Sequence, residues 1–199
     1  EQECLRIDSR FLEPACGDGN FLAEILGRKL SVVKERYQRS AFDWERNALL
    51  ALGSLYGVDI LSDNCEVCRE RLMKIWDKAY KSVCKKECNE DTRRAAHYIL
   101  KQNIVCGNAL TLRRVDAHQQ DTPDPIVFSE WTFPQNNAFI HRKDYTFAEL
   151  LDEKPNESET EQQTLFDVNA AADGEGKFIQ EYVCHYRQLG AESDNEQLE

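Results

Sequence analysis

The stretch Phe11-Leu-Glu-Pro-Ala-Cys-Gly-Asp-Gly-Asn-Phe-Leu22 constrains the fold more than any other part of the sequence. Residues 10 to 13 read as a short strand that runs into Pro14, a residue that ends a ladder and begins a turn. Gly17 and Gly19 open a loop. From Asn20 onward Phe21, Leu22, Ile25, Leu26, Leu30, Val33 and Tyr37 recur at three and four residues, which predicts an amphipathic helix with Asp18 or Asn20 near its N-cap. Strand, glycine loop and helix together begin a βαβ unit. At the carboxyl end of such a strand glycines let the backbone approach a ligand without interference from a Cβ, and the next helix starts beside it. The spacing predicts a nucleotide-type pocket.

The rest of the chain supports a fold of that kind. A second helix, 41 to 52, stops at Gly53, and Ser54-Leu-Tyr-Gly-Val-Asp-Ile60 reads as a β-branched and aromatic strand closing on an acid. Asp63 or Asn64 is placed to cap a third helix that carries Val67, Leu72, Ile75, Trp76, Tyr80 and Val83 on one side. Its basic residues, from Arg69 and Arg71 to Lys85 and Lys86, fall mostly elsewhere and read as a solvated face or a phosphate-facing one. A fourth helix covers 94 to 102. Short strands follow at 103 to 106, running into Gly107-Asn108, and at 125 to 128. Helices alternating with short apolar strands predict an α/β fold, a Rossmann-like doubly wound and mainly parallel sheet. Its expected adjacent strands are Phe11-Leu12, Leu55 to Asp59, Ile104 to Cys106 and Ile126 to Phe128.

A length of 199 residues suits one main core. The composition changes after Leu151: residues 153 to 164 are almost all polar, and apolar side chains return only at Leu165, Phe166, Phe178, Ile179, Tyr182 and Val183. The expected organisation is a domain over 1–151 and, over 152–199, an acidic linker with a docking tail. The net charge of −11 lies mostly in that tail, which holds 13 acidic and 3 basic side chains against 23 and 22 in the body, so it does not exclude a DNA-facing surface on the body. No apolar run nears the roughly 20 residues of a membrane span, and no membrane partner is expected. The chain begins Glu1-Gln-Glu-Cys4 with neither an initiator Met nor a secretion signal, which predicts a trimmed fragment and a reducing, cytoplasmic setting.

Cysteine spacing offers a rival signal. Cys65 and Cys68, then Cys84 and Cys88, approach structural zinc spacing. Zinc ribbons put such pairs on turns, however, whereas Glu66, Val67, Arg69, Glu70 and Arg71 are helix formers. Buried helical cysteines, with no metal ligand among them, are the reading adopted.

Two common nucleotide motifs are missing. Gly17-Asp-Gly-Asn-Phe-Leu22 lacks the third glycine of GxGxxG, and no GxxxxGK[ST] occurs. Glu13-Pro-Ala-Cys-Gly-Asp-Gly-Asn-Phe21 instead resembles the first motif of the class I S-adenosylmethionine-dependent methyltransferases, specifically the N6-adenine DNA methyltransferases of restriction-modification systems. Tyr56-Gly-Val-Asp-Ile60 is similar to their second motif and Val105-Cys-Gly-Asn-Ala-Leu110 to their third. The likeness covers residues 8 to 130 or so. It implies S-adenosylmethionine as cofactor, held by Glu13, Ala15, Cys16, Gly17, Gly19, Asn20, Phe21, Asp59, Ile60, Asn108 and Ala109. In that scheme Glu13 and loop carbonyls receive the methionine ammonium, Asp59 accepts the ribose hydroxyls, Ile60 packs on the adenine and Asn108 meets its edge.

The fourth motif departs from the family. There an Asp/Asn/Ser-Pro-Pro-aromatic tetrapeptide holds the amine of a flipped adenine. No Pro-Pro occurs in this chain, and Ser129-Glu-Trp-Thr-Phe-Pro134 offers only an acid and an aromatic, with Trp131 expected as a core or surface-covering aromatic and not a base platform. No catalytic residue is assigned. Three functions follow: a DNA adenine methyltransferase, or part of one completed by another chain; a catalytically silent cofactor-binding subunit of such a system; and a zinc-stabilised interaction module or acidic DNA mimic. DNA and a partner subunit are the expected partners.

Overall fold

The computed structural model describes residues 6–134, 137–152 and 179–191. Eight strands and five α-helices occur among them, arranged as a mixed α/β fold with three small sheets. The first sheet is parallel, in the order β1-β2-β3: β1 (Phe11–Glu13), β2 (Leu55–Asp59) and β3 (Ile104–Cys106). Helices α1 (Asn20–Tyr37) and α2 (Ala41–Gly53) connect β1 to β2, and α3 (Ser62–Cys84) and α4 (Glu90–Asn103) connect β2 to β3. Parallel neighbours need such crossovers because a tight turn cannot reverse the chain twice.

Alternation along the strands divides their side chains between two layers. Leu55 and Ile104 join the main core with Leu22, Leu26, Trp44, Leu49, Leu72, Trp76 and Ile99, all from helices and all essentially inaccessible. Tyr56, Val58 and Val105 enter a second cluster with Ile126, Phe128 and Phe147. Helices cover one face of the parallel sheet. The other is covered by a β-strand and a short helix, β6 (Val127–Thr132) and α5 (Phe147–Asp152), through Phe128 edge-on to Tyr56 at 5.3 Å and to Phe147 at 5.4 Å.

The fourth strand corrects the sequence expectation. It does not extend the parallel sheet: β6 pairs antiparallel with β7 (Phe139–Thr146), which pairs antiparallel with β8 (Gln180–His185). A separate hairpin, β4 (Arg113–Val115) and β5 (Asp121–Pro125), precedes them. Residues 180–189, grouped by composition with the tail, thus complete a sheet, and Tyr186 and Leu189 are buried in the main core. The linker expected at 153 to 164 and the apolar positions Leu165, Phe166 and Phe178 lie outside the described residues.

One helix start differs from expectation. Gly19, in a left-handed conformation (φ 82°), caps α1 without a side-chain bond, with Asp18 and Asn20 on either side of it as expected. Leu61 caps α3, and neither Asp63 nor Asn64 does so. Ser40 and Asn89 cap α2 and α4, accepting from the amides of Asp43 at 3.2 Å and Thr92 at 2.8 Å.

Candidate functional site

The carboxyl ends of the three parallel strands meet around Asp59. The Cys16 amide donates to the Val58 carbonyl at 2.8 Å, and the Gly107 amide donates to the Asp59 carbonyl at 2.9 Å. The loop after β1 and the turn after β3 are therefore both anchored to the end of β2. Within the loop, Gly19 N–H donates to the Cys16 carbonyl at 2.8 Å, and Gly17 (φ 50°) takes a left-handed conformation with nothing within 4 Å of where a Cβ would stand. That open space above bare backbone is what a ligand-facing glycine turn requires.

The Asp59 carboxylate organises the loop. Its Oδ2 accepts from the Gly17 amide at 2.9 Å, while its Oδ1 accepts from the Leu61 amide at 2.9 Å and from Asn64 Nδ2 at 3.1 Å. One acid thus links the first glycine to the start of α3. A carboxylate has about four acceptor sites, so Oδ2 keeps one for a further donor. Next to it in the chain Ile60 and Leu61 are 40% and 41% exposed, and Phe21, in the first turn of α1, is 50% exposed. Apolar side chains around a partly occupied acid form a surface suited to a ligand with a hydroxylated and a flat apolar part.

The other sequence-assigned residues lie along the same edge. Glu13 stands opposite Gly57 in the β1–β2 register, two residues short of Asp59. Ala15 and Asn20 are exposed, and Cys16 and Gly19 are buried. Asn108, in the turn after β3, donates through Nδ2 to Asp121 at 3.1 Å and accepts from the Leu110 amide at 3.0 Å, and each end of its amide keeps one further position. Ala109 packs against the second cluster.

Three features escaped sequence reasoning. Arg71 of α3 donates to Asp18 Oδ2 at 2.7 Å and to Asn20, clamping both flanks of Gly19. Asn64 supports Asp59. Below the loop, Cys16 forms thiol hydrogen bonds with Cys65 and Cys68. The bond with Cys65 lowers the Cys16 pKa, but the bond to Cys68 and burial push it up to about 12. The bond with Cys16 and burial raise Cys65 further, whereas the bond from Cys16 draws Cys68 down against its burial. Cys68 is therefore the first of the three to ionise. An eye for i, i+3 cysteines on a helix entering beside a motif cysteine would have flagged this group; nothing local signals Arg71, 53 residues from Asp18.

Trp131 is 5% exposed and covers Gly53, where a Cβ would lie 2.8 Å from its ring, as expected of a core aromatic. Glu130 is ion-paired with Arg10. The basic positions of α3 are largely engaged within the protein: Arg69 with the Ile104 carbonyl, Lys74 with Glu70 and Lys81 with Asp77. Cys65 and Cys68 belong to the hydrophobic core on α3, and among the described residues no group of three or more His, Cys, Asp or Glu side chains is arranged to hold a metal ion. No helix among these residues is long and apolar enough to cross a membrane. Compared with known proteins, the chain matches no family model, no curated sequence and no solved structure.

Proposed function

We propose that this edge binds S-adenosylmethionine and that the chain is a DNA adenine methyltransferase-like protein of a restriction-modification or related system, acting in the cytoplasm. One observation carries the reading: Asp59, at the end of the central parallel strand, holds the Gly17 amide of a left-handed glycine turn and keeps acceptor capacity next to exposed Ile60. In doubly wound sheets, acids so placed receive ribose hydroxyls. The finer fold assignment belongs to the same proposal, with β1, β2 and β3 as one wing of a Rossmann-like sheet.

The donor set suits the cofactor. Asp59 would take ribose, with the free position on Oδ2 meeting one hydroxyl and Asn64 yielding to the other. Ile60 would cover one adenine face and the remaining amide positions of Asn108 would address its edge. Glu13 and the loop carbonyls would receive the ammonium by charge-assisted bonds. Bound there, the sulfonium supplies an electrophilic methyl group; the chain's own task is to hold it and exclude water.

A specific observation favours the silent-subunit form of this reading. Glu130 and Trp131 lie inside β6, spent on Arg10 and on covering Gly53, so the segment that would have to hold a flipped adenine is committed to packing. DNA or a partner subunit would complete such a protein. Calorimetric titration with S-adenosylmethionine tests the site, with one equivalent expected per chain and no heat of binding overturning it. A radiolabelled methyl-transfer assay on mixed-sequence DNA tests silence: no incorporation is expected from the chain alone, and incorporation abolished by Asp59→Ala would overturn it.

A further inference from the structure

We propose that the outer edge of β8 is a self-association surface, on which β8 of a second copy of this chain pairs antiparallel about a two-fold axis through Val183. β8 pairs with β7 on one side, and among the described residues no strand pairs with the other. The register runs from Phe139 opposite His185 to Asp144 opposite Gln180, and the Tyr186 amide donates to the Ala138 carbonyl at 2.9 Å. In an antiparallel ladder alternate residues bond to the neighbour, so Gln180, Tyr182 and Cys184 turn their backbone groups toward β7. Glu181, Val183 and His185 turn theirs away.

This edge carries none of the usual protection. Exposed edges are commonly blunted by Lys, by Pro, by a bulge or by a covering element. Gln180-Glu-Tyr-Val-Cys-His185 has neither Lys nor Pro, its pairing with β7 runs without a register shift, and Gln180, Glu181, Tyr182 and Val183 are all exposed, whichever face they lie on. An apolar stripe leads up to it: Val183 is 53% exposed, and Phe139, its diagonal neighbour on β7, is 50% exposed.

Main-chain bonds alone would accept any strand; the side chains select a copy. An axis through Val183 sets Val183 against Val183 and Glu181 against His185 of the second copy, and two-fold symmetry makes the charged contact twice. Within its own chain Glu181 has His141 and Lys143 each at 3.9 Å and is 40% exposed, so its carboxylate keeps acceptor sites. His185 Nδ1 accepts from the Arg187 amide at 3.2 Å, which leaves the proton of the neutral ring on Nε2 as a donor. An axis through Tyr182 would instead set Glu181 against Val183, and one through Glu181 would bring the two acids together. The paired product is one continuous sheet, with Phe139 and Val183 of both chains in a single stripe. The net charge of −11 on each chain opposes association. At physiological ionic strength a Debye length of about 8 Å confines that opposition to charges near the axis.

The test is sedimentation equilibrium of the whole chain under reducing conditions, at concentrations up to about 1 mM, where a dissociation constant even that weak leaves dimer to be seen. Amide hydrogen exchange is followed in the same samples. The mass should rise toward twice that of one chain, and the amides of Glu181, Val183 and His185 should gain protection as it does. Val183→Pro removes the amide on the axis, which β7 does not use, so the ladder is kept while association weakens about tenfold or more. Val183→Lys sets two like charges face to face on the axis and should weaken association as much without touching the backbone. Thermal melting checks that both variants fold; if Val183→Pro does not, Val183→Lys decides. A parent chain of single mass throughout overturns the proposal, and so does dimerisation that Val183→Lys retains. Protection of the three amides in the single chain also overturns it, since the chain's own residues would then cover the edge.

Discussion

Glu45 and Asp59 are two acids that each gather several donors, and their surroundings are opposite. Glu45, on α2, is fully buried. Its Oε1 accepts from the Tyr80 hydroxyl and from Asn89 Nδ2 at 3.1 Å, and its Oε2 from the Tyr186 hydroxyl and Arg187 at 2.9 Å. Four donors fill about four acceptor sites. Burial and the Glu45 carboxylate push both phenols up, so they remain donors. Asp59 has three donors, a free position, and exposed apolar neighbours. A saturated buried acid ties segments together, here α2, α3 and the chain after β8. Asp59, at a strand end beside left-handed glycines, keeps acceptor capacity at the edge of the sheet.

The largest expected effect breaks the closed centre. Glu45→Ala leaves Arg187 and two buried phenols without their acceptor, which should cost about 3–5 kcal/mol. For a chain of this size that lowers Tm by roughly 10 °C. Differential scanning calorimetry reads it directly. A shift of only a degree or two would mean that water replaces the carboxylate and that the centre is not closed.

Next comes the open centre. Asp59→Ala should weaken S-adenosylmethionine binding about tenfold to a hundredfold, the equivalent of about 1.5–3 kcal/mol for a lost charged hydrogen-bond partner. Its cost in stability should be smaller than that of Glu45→Ala, because the amides it frees lie near solvent. If Asp59→Ala unfolded the chain as severely as Glu45→Ala, Asp59 would be construction as well, and the contrast between the two acids would disappear.

How far the two centres could be read in advance follows from locality. The glycine loop, α1, and the strand ending in Asp59 are legible because each signal lies within one element: a 3–4 apolar period, paired glycines, an aromatic and β-branched run. The Glu45 centre is not, since its donors come from residues 80, 89, 186 and 187, and a Glu on an amphipathic helix looks like solvated surface. The antiparallel sheet was hidden by its charges. In β7, Ile140, Arg142 and Asp144 form one alternating set, with Asp144 buried and Arg142 partly so, and Arg142 binds Asp144 at 2.6 Å, Tyr98 at 2.6 Å and Ser129 at 3.0 Å. Paired charges in a sheet interior erase the alternation on which a strand assignment depends. β5, Asp121-Thr-Pro-Asp-Pro125, carries turn residues throughout and pairs as an exposed hairpin arm.

The smallest effect concerns an acid intermediate between the two. Asp77, on α3, is 21% exposed and is held by two cations: Lys81 at 2.5 Å along the helix, and Arg93 of α4 at 2.7 Å. Burial raises its pKa, but the bonds from Lys81 and Arg93 outweigh that and hold it below the usual carboxylate range. A depressed folded pKa means that the unfolded chain takes up the proton first as pH falls. The contribution of Asp77 is therefore complete above the unfolded value of about 3.9 and disappears as pH drops through the lower folded value. Lys81 is largely exposed, which screens its share and limits the total to about 1 kcal/mol. Urea unfolding of the parent and of Asp77→Asn should show that gap at pH 7 and its closure in strong acid. A gap that persists there would show that Asp77 acts through shape and hydrogen bonding, as a filled centre does, and would place it with Glu45 and not between the two acids.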